Sequence, residues 1–432
     1  MFIKIKVDNV KGIDNEIELD FISSSRKKEI NPSVAITDDN IYVNKLMGIA
    51  GSNGTGKSTI YEVISSVGSF LEREITKRNL ERMLNAEKKE EEFPKKLSDD
   101  IVKYIKKIQN EIGLPEQNQG RLEDKSTILM QLYIKGNDEI STGYYSYELV
   151  YDKDVEDKGI IQEKLSFKKK YRSSKEKVLF DKSGTFVSQI GYDITYFNNM
   201  PDFERNKKSD NYINYLRTFY NHYNRNSTGY FDFLEFDSDE IEEWIKNEPE
   251  LVKSIAKIVD SKIVDISIDE SKEYEKKVLF TNDKGINLYY RMLSDGTQKM
   301  LQLCQKTSYI IRNNGILIID EIENGVHTEL LNALLLMFLN KNNLNSQLIF
   351  TTHYPEIFEM KRLDQTKIFK QDQVVFLGRR NGFMTADRLS EIKHDGKKLR
   401  NDISIAKAYR DKIVSIHPDK EEIEKLLFFI EK

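Results

Sequence analysis

One short glycine-rich motif constrains the fold of this chain more than any other feature. Residues Gly51–Ser58 read GSNGTGKS and satisfy the pattern GxxxxGK followed by Ser or Thr. The motif follows an apolar segment, Leu46–Ala50, and precedes a helical pattern that begins near Lys57. Because a strand, a glycine-rich loop and a helix in this order form a cradle for phosphate groups, the sequence predicts an α/β nucleotide-binding core.

The residue types in this motif suit the binding of a nucleoside triphosphate. Glycines let successive backbone N–H groups turn towards phosphate oxygens, and the helix N terminus adds positive partial charge. We expect Lys57 to contact the β and γ phosphates and Ser58 to hold Mg²⁺ through its hydroxyl, since Mg²⁺ prefers hard oxygen ligands. The predicted ATP-binding residues of the loop are Gly51, Ser52, Asn53, Gly54, Thr55, Gly56, Lys57, Ser58 and Thr59.

Composition and charge restrict the class of protein. The chain has 432 residues, of which 39% are hydrophobic and 32% charged, as is typical of soluble globular proteins. A single cysteine excludes an intrachain disulfide, and we find no secretory signal and no apolar run of membrane-spanning length, so we expect a cytoplasmic protein. Lys and Arg total 67 and Asp and Glu total 71, which gives a net charge of −4. Any binding of DNA would therefore depend on a local basic patch.

A second motif places two carboxylates at the end of an apolar strand. The segment Gly315–Glu321 reads GILIIDE. In an α/β core such a strand is buried, and its last residues emerge at the ligand-binding edge. We expect Asp320 to hold Mg²⁺, directly or through water, and Glu321 to act as the general base that polarises the attacking water. The two motifs together predict ATP and Mg²⁺ as ligands.

A third motif, Leu293–Gln298 (LSDGTQ), precedes a helix-forming stretch, Lys299–Ile311. Ser294 and Gly296 would lie at the N terminus of that helix, which makes a second anion site. One nucleotide-binding domain does not need two phosphate sites for one nucleotide. We therefore predict that Ser294, Gly296 and Gln298 contact the γ phosphate of a nucleotide held by another subunit.

The motifs and their order resemble those of ABC-type ATPases. LSDGTQ is similar to the LSxGxQ signature of that family, and GILIIDE is similar to its Walker B segment. His353, within TTHYPE, matches the switch histidine, which the resemblance implies touches the γ phosphate. Glu323–His327 (ENGVH) occupies the position of the D-loop, where the family makes contacts across a dimer, and Asn324 is the residue carried over. The predicted catalytic residues are thus Lys57, Glu321 and His353.

Features outside these motifs narrow the resemblance to SMC-related, OLD-like bacterial ATPases, a group that includes the ATPase subunits of the Septu and PARIS anti-phage systems. They are an N-terminal strand pair with a Lys-Gly turn, the segment YYSYELVYD, and DEIENGVH followed by TTHYPEIF. A C-terminal stretch that begins DQVVFLGRRNGF is similar to the same group. The resemblance implies a homodimer or higher homo-oligomer formed through the ATP sites, and a separate effector protein, expected to be a nuclease.

The order of strand and helix patterns divides the chain into a core and insertions. Alternating residues over 127–134, 144–151 and 160–169 predict an antiparallel β lobe. With the resemblance, the predicted fold class is α/β, an ABC-type P-loop ATPase head with a mixed sheet, an antiparallel β lobe and a helical insertion. The predicted domains are a nucleotide-binding core of residues 1–68 and 261–360, a helical insertion of 69–125, the β lobe of 126–190, a mostly helical insertion of 191–260 and a C-terminal α/β extension of 361–432.

Several residues have two interpretations at the level of sequence. Gln131 is the nearest candidate for a Q-loop glutamine, and a surface position suits it equally. Lys11 lies where SMC-like heads carry a basic residue near the phosphates, and a solvated turn also explains it. The patch Phe167–Arg172 (FKKKYR) is either a contact for nucleic acid or an exposed strand edge protected by lysines, and we prefer the second interpretation. Cys304 is expected to be a core thiol.

Other functions are compatible with parts of the sequence. An SMC-like DNA-repair or chromosome-associated ATPase that clamps DNA would use the same ATP motifs. The nucleotide-binding subunit of a membrane transporter would explain the motifs but not the large insertion between them, and we expect no membrane association. Standalone anticodon nucleases occur among related ATPases, but we identify no catalytic triad for that activity in the sequence. We favour a nucleotide-driven sensor or switch that controls a separate nuclease in anti-phage defence.

Overall fold

A computed structural model of the chain shows two large β-sheets with helices packed against the central one. The residues that the structure describes are 1–24, 33–52, 54–71, 125–136, 141–152, 160–183, 186–190, 229–230, 238–272, 278–340, 343, 345–380, 383–394, 397–399 and 403–410. No helix within these residues is long and apolar enough to cross a membrane.

The strands and helices are numbered in chain order. The strands are β1 (Phe2–Asp8), β2 (Ile17–Asp20), β3 (Val34–Ile36), β4 (Tyr42–Asn44), β5 (Leu46–Gly51), β6 (Ser126–Ile134), β7 (Gly143–Tyr151), β8 (Ile160–Lys168), β9 (Lys177–Ser183), β10 (Phe186–Ile190), β11 (Gly229–Tyr230), β12 (Ile263–Ile268), β13 (Val278–Asn282), β14 (Asn287–Tyr289), β15 (Ile316–Ile319), β16 (Gln347–Thr352), β17 (Val374–Arg380), β18 (Phe383–Arg388), β19 (Lys393–His394) and β20 (Lys397–Lys398). The helices are α1 (described over 57–71), α2 (Ser238–Asn247), α3 (Pro249–Val259), α4 (Asp295–Arg312), α5 (Thr328–Phe338) and α6 (Ile405–Arg410).

The central sheet is mixed and has the strand order β11-β15-β16-β5-β17-β18. Its neighbouring strands run parallel, except that β18 is antiparallel to β17. Every residue of β5, β15 and β16 is buried. A parallel sheet covered on both faces has no solvated side, which is why these strands are largely apolar in the sequence, with polar residues only at Gln347, Thr351 and Thr352 of β16. The predicted parallel core is confirmed, with β15, α5 and β16 as its strand, helix and strand.

The register of the inner strands brings their carboxyl ends to one edge. Ile319, the last residue of β15, pairs with Phe350 of β16, and Ala50 near the end of β5 pairs with Thr352. The glycine-rich loop after β5, the carboxylates after β15 and the histidine after β16 therefore emerge at the same edge of the sheet. In an open α/β sheet this is the edge at which ligands bind.

The second large sheet is antiparallel and has the order β10-β9-β8-β7-β6-β1-β2. Its core is aromatic, because Tyr144, Tyr145, Tyr147 and Tyr151 of β7 are all fully buried. The N-terminal strand pair, which the sequence groups with the nucleotide-binding core, hydrogen-bonds to the β lobe, since β1 pairs with β6 along its length. The lobe and the chain start thus form one continuous sheet.

One buried glutamine joins the two large sheets. Gln347, the first residue of β16, is fully buried. Its Oε1 accepts a hydrogen bond from the backbone N–H of Phe2 at 2.8 Å, and its Nε2 donates to the backbone oxygens of Phe2 at 3.3 Å and Asn44 at 2.9 Å. Because a buried amide is costly unless it is paired, these bonds hold the start of β1 at one position along β16.

A third sheet and two helices precede the LSDGTQ motif. Strands β12, β13 and β14 form an antiparallel sheet, against which α3 packs. Within the predicted insertion 191–260, α2 and α3 are helical, but β11 is a strand at the edge of the central sheet. The described part is therefore not helical throughout. Most of residues 191–237, and residues 72–124 of the predicted helical insertion, lie outside the described residues.

The packing of the central sheet predicts a steric requirement for glycine at position 48. A Cβ added to Gly48 would lie 2.3 Å from Cε1 of Phe358 and 2.9 Å from Cζ of Phe350. Overpacking of this kind costs about 1–3 kcal/mol, so we expect Gly48→Ala to lower the thermal midpoint by several degrees. The matched control is Gly378→Ala, whose Cβ would first meet Oγ1 of Thr385 at 3.7 Å. Equal thermal midpoints of the two variants would contradict the steric requirement at position 48.

Candidate nucleotide-binding site

The glycine-rich loop connects the end of β5 to the first turn of α1. Gly54 and Gly56 have left-handed backbones, with φ of 73° and 84°. A Cβ on Gly56 would lie 2.5 Å from Cε of Met384, a residue of β18. The loop is therefore a tight turn packed against the C-terminal hairpin β17–β18, and only glycine fits at position 56.

Lys57 is the first residue of α1, and its side chain is 4% exposed. Its ammonium donates hydrogen bonds to the backbone oxygens of Gly51 at 2.7 Å and Ser52 at 2.8 Å. Burial lowers the pKa of this ammonium, and the carboxylates that follow β15 act in the opposite direction on the same pKa. The lysine thus holds the loop closed on itself and adds positive charge beside a group of carboxylates.

The two acidic residues after β15 are held by a threonine from the neighbouring strand, one through its carboxylate and one through its backbone. The hydroxyl of Thr351, which is 2% exposed, donates to Oδ1 of Asp320 and accepts from the backbone N–H of Glu321 at 2.8 Å. Glu321 has a left-handed backbone with φ of 47°. A non-glycine residue in this region is strained, and the structure around Glu321 fixes it there. Sequence reasoning missed Thr351, although a polar residue in an otherwise apolar strand is a usable signal.

The Glu321 side chain is paired with the predicted switch histidine. Nε2 of His353 and Oε1 of Glu321 are 3.0 Å apart, and both side chains are partly exposed. The backbone N–H of His353 donates to Oε1 of Glu323 at 2.6 Å. The predicted base and the predicted switch residue therefore form one hydrogen-bonded unit at the mouth of the site. Glu323 is a second residue that the sequence motifs did not single out.

These groups surround a cleft with a volume of about 780 Å³. Its lining includes Lys11, Gly12, Gly54, Gly56, Lys57, Ser58, Thr59, Glu321 and His353. Such a volume is ample for a nucleotide. The structure thus brings together most of the predicted loop residues with Glu321 and His353; Asn53 lies outside the described residues.

Lys11, which had two interpretations from the sequence, lies in the cleft. Oγ1 of Thr59 donates to the backbone oxygen of Lys11 at 3.0 Å, and Nζ of Lys11 is 2.6 Å from Oε1 of Glu62. From the C-terminal hairpin, Nη2 of Arg379 donates to the backbone oxygen of Gly12 at 3.2 Å. The turn between β1 and β2 is therefore anchored to α1 and to β17, and it places a cation at the cleft.

The LSDGTQ residues lie apart from the cleft lining of their own chain. Ser294 caps α4, and its Oγ accepts from the backbone N–H of Thr297 at 3.2 Å. Nε2 of Gln298 donates to the backbone oxygen of Leu293 at 2.8 Å. Ser294, Gly296 and Gln298 are not part of the cleft lining among the described residues. The motif thus forms a capped helix N terminus at which Ser294 is exposed.

Two other residues considered from the sequence, Gln131 and Cys304, have structural rather than ligand-binding positions. Nε2 of Gln131 donates to Oγ of Ser146 at 3.0 Å, within the antiparallel sheet, and Gln131 does not line the cleft. Cys304 is buried in α4, and burial raises the pKa of its thiol to about 12. A thiol that stays protonated and inaccessible is a core residue, as the sequence predicts.

The oxygen ligands at the cleft fit Mg²⁺. Ser58 lines the cleft with its hydroxyl. Asp320 is not among the lining residues, but it directly precedes Glu321, which is, and its carboxylate accepts from the Thr351 hydroxyl. No group of three or more His, Cys, Asp and Glu side chains that could by itself hold a metal ion occurs in the described part of the chain. Few protein ligands, completed by phosphate and water, are the arrangement that Mg²⁺ adopts with nucleotides.

The topology and the cleft define an α/β P-loop nucleotide-binding fold. A family model described as "AAA domain, putative AbiEii toxin, Type IV TA system" matches residues 46–359, so the chain belongs to this family. The match begins at β5 and ends shortly after His353. It includes the site residues described above, except the turn that holds Lys11 and the C-terminal hairpin packed against the loop. A search of curated proteins finds no significant match.

Several solved structures are similar to this chain at low sequence identity. A structure described as the SmcHead bound to the C-winged helix domain of ScpA has 10% identity and a TM-score of 0.42, with 89% of this chain and 96% of that chain covered. The SMC head domain from Thermotoga maritima has 10% identity and a TM-score of 0.37, with coverage of 90% and 98%. An Smc head domain with an extended coiled coil, bound to the C-terminal domain of ScpA derived from Pyrococcus furiosus, has 11% identity and a TM-score of 0.41, with coverage of 89% and 95%.

The position of Lys57 predicts that nucleotide binding depends on its ammonium. We expect Lys57→Ala to weaken binding of a fluorescent ATP analogue by about 100-fold or more, which corresponds to about 2.7 kcal/mol, because a charge-assisted contact to phosphate is lost. The matched control is Lys284→Ala in the exposed turn between β13 and β14, which should bind as the wild type does. Affinity within threefold of the wild type for Lys57→Ala would rule out the assigned role.

Proposed function

We propose that this protein hydrolyses ATP to ADP and phosphate in a head-to-tail homodimer, in which each site combines the cleft of one protomer with the LSDGTQ helix of its partner. The observation that carries the proposal is the separation within one chain of two features suited to phosphate. The cleft holds Lys57, Glu321 and His353, whereas Ser294 caps a different helix N terminus. A second protomer is the simplest source of a triphosphate for that helix.

The residues at the cleft supply the groups that phosphoryl transfer to water requires. Lys57 and the loop N–H groups bind the β and γ phosphates, and Ser58 and Asp320 would hold Mg²⁺, which neutralises phosphate charge when bound. Glu321 orients the attacking water and accepts its proton. His353, hydrogen-bonded to Glu321, would contact the γ phosphate. The partner's helix N terminus would stabilise the charge on the transferred group.

We further propose that the dimer acts as a nucleotide-driven switch for a separate effector, a nuclease, in anti-phage defence. The resemblance of the outer sequence segments to OLD-like, Septu and PARIS ATPases supports this role. The description of the matching family refers to a toxin and a Type IV TA system, which is in keeping with control of a toxic activity. Opening and closing of the dimer with ATP would change the surface presented to the effector.

A basic turn favours a second candidate function, an SMC-like ATPase that clamps DNA. The loop between β8 and β9, together with the first residue of β9, carries five cations at exposed positions. They are Lys169, Lys170, Arg172, Lys175 and Lys177. Such a cluster on a chain of net charge −4 is a local site for a polyanion. A DNA clamp would show ATPase activity stimulated by DNA and an affinity that falls steeply with salt.

One purification separates the two candidates. The protein is isolated from its native host at low salt with a slowly hydrolysed ATP analogue, and the co-purifying proteins and nucleic acids are identified. A stoichiometric nuclease supports the defence switch, whereas duplex DNA without a protein partner supports the clamp.

The proposed base predicts a specific kinetic defect. Glu321→Gln removes the carboxylate that accepts the proton from water but preserves the side-chain shape. We expect its ATP turnover to fall by about 100-fold or more with little change in nucleotide affinity, and the closed dimer to accumulate. The control Glu329→Gln changes an exposed carboxylate in the first turn of α5. Equal turnover of the wild type and Glu321→Gln would defeat the assignment.

The shared site predicts complementation between two inactive variants. Ser294→Arg blocks close approach of the α4 N terminus to a partner's nucleotide, so we expect nucleotide binding to persist and turnover to be lost. Ser294→Ala keeps that space, so its loss of turnover should be smaller. It removes the helix cap, which costs about 1 kcal/mol of stability. Mixing Ser294→Arg with Lys57→Ala restores one complete site per mixed dimer, or up to about one quarter of wild-type turnover. No recovery on mixing, or full turnover by a strictly monomeric preparation, would contradict the shared site.

A further inference from the structure

A buried lysine connects the LSDGTQ helix to the loop that follows the catalytic carboxylate. Lys299 lies near the N terminus of α4 and is 9% exposed. Its Nζ donates a hydrogen bond to the backbone oxygen of Asn324, a residue of the D-loop Glu323–His327. The start of α4 and the D-loop of the same protomer are therefore in direct contact.

The D-loop is shaped to receive this lysine. Gly325 has a left-handed backbone with φ of 69°, and a Cβ at this position would lie 3.5 Å from both Cδ and Nζ of Lys299. The positive φ turns the chain so that the Asn324 carbonyl faces α4, while the lysine stem packs alongside the turn. The path of the D-loop therefore depends on where the start of α4 lies.

Glu323 connects the D-loop to the switch histidine. Its Oε1 accepts from the backbone N–H of His353 at 2.6 Å. Its Oε2 is buried and makes no hydrogen bond to any described residue. Burial lowers the pKa of Lys299, and the Glu323 and Glu321 carboxylates act in the opposite direction on that pKa. A buried carboxylate oxygen is thus balanced by nearby lysine charge, and a change in the position of Lys299 changes the field at Glu323.

These contacts form a continuous path from α4 to the catalytic pair. It runs from Lys299 to the D-loop, through Glu323 to the backbone of His353, and from the His353 ring to the Glu321 carboxylate. We propose that Lys299 and Glu323 are positioning residues that set the Glu321–His353 pair according to the position of the α4 helix of the same protomer. This inference rests on the proposed ATPase function.

The path has a consequence for the dimer. In the proposed shared sites, the α4 N terminus contacts the partner's nucleotide, whereas Glu321 of the same protomer acts on its own nucleotide. Occupancy of one site would therefore alter the rate at the other, because α4 takes part in both. Rates should rise cooperatively with ATP, with a Hill coefficient above 1 in the wild type. A residue that only stabilised the fold would alter the melting temperature but not this cooperativity.

The first test compares three lysine variants. Lys299→Met keeps the apolar stem but removes the ammonium, and we expect maximal turnover to fall by about tenfold, ATP-analogue affinity to stay within about twofold, and the Hill coefficient to fall to about 1. Lys299→Arg retains a charged donor and should recover most of the turnover and cooperativity. The matched control is Lys306→Met, about two turns further along α4 and partly exposed, which should behave as the wild type does.

The second test asks whether Lys299 and Glu323 act through the same path. Glu323→Gln keeps the shape of the side chain but removes its charge. If the two residues act in series, the double variant with Lys299→Met should be no slower than the slower single variant, whereas independent effects would multiply. Melting temperatures of all variants are measured in parallel to separate kinetic effects from unfolding.

The outcomes distinguish this inference from the proposed function. If Lys299→Met hydrolysed ATP with the same rate and Hill coefficient as the wild type, the coupling role would be overturned and the ATPase proposal would remain intact. So would multiplicative effects in the double variant, or a Lys299→Arg variant as impaired as Lys299→Met. Absence of ATP turnover by the wild type itself would overturn the proposed function, and the inference with it.

Discussion

The parallel hydrogen-bond ladder of β15, β16 and β5 is the constraint on which the site depends. Each strand is buried along its whole length, and the register places the ends of all three at one edge of the sheet. A slip of one residue would turn every side chain to the opposite face and displace the segment that follows. The P-loop, the carboxylates and the histidine are therefore positioned by strand pairing before any of their side chains interact.

Buried polar contacts then convert this common edge into a defined geometry. The Thr351 hydroxyl ties two consecutive carboxylate residues to β16, and Lys57 ties the P-loop to itself through two carbonyl oxygens. Each contact satisfies a polar group that would otherwise be costly to bury. Rigid placement of this kind is what a site needs to act on a triphosphate without reorganising around it.

The separation within one protomer of two features suited to phosphate is the basis of the proposed dimer. One chain presents a cleft and, on another helix, a capped N terminus with Ser294 at the cap. Lys299 and the D-loop connect these two features inside the protomer. In the proposed dimer, this connection would make ATP binding at the interface and the position of the Glu321–His353 pair depend on each other, as the proposed switch requires.

The local parts of this protein follow from the order of its amino acids. GSNGTGKS predicts a phosphate loop, because glycine adopts its left-handed turns without steric cost, and apolar runs such as Leu46–Ala50 predict buried strands. Which distant segments meet is set only when the chain is folded. That β1 belongs to the sheet of the β lobe, that Thr351 holds Asp320, and that Lys299 reaches the D-loop all depend on contacts between residues far apart in the chain. Local pattern and propensity carry no information about such pairings, because these are set by packing and by the need to satisfy buried polar groups.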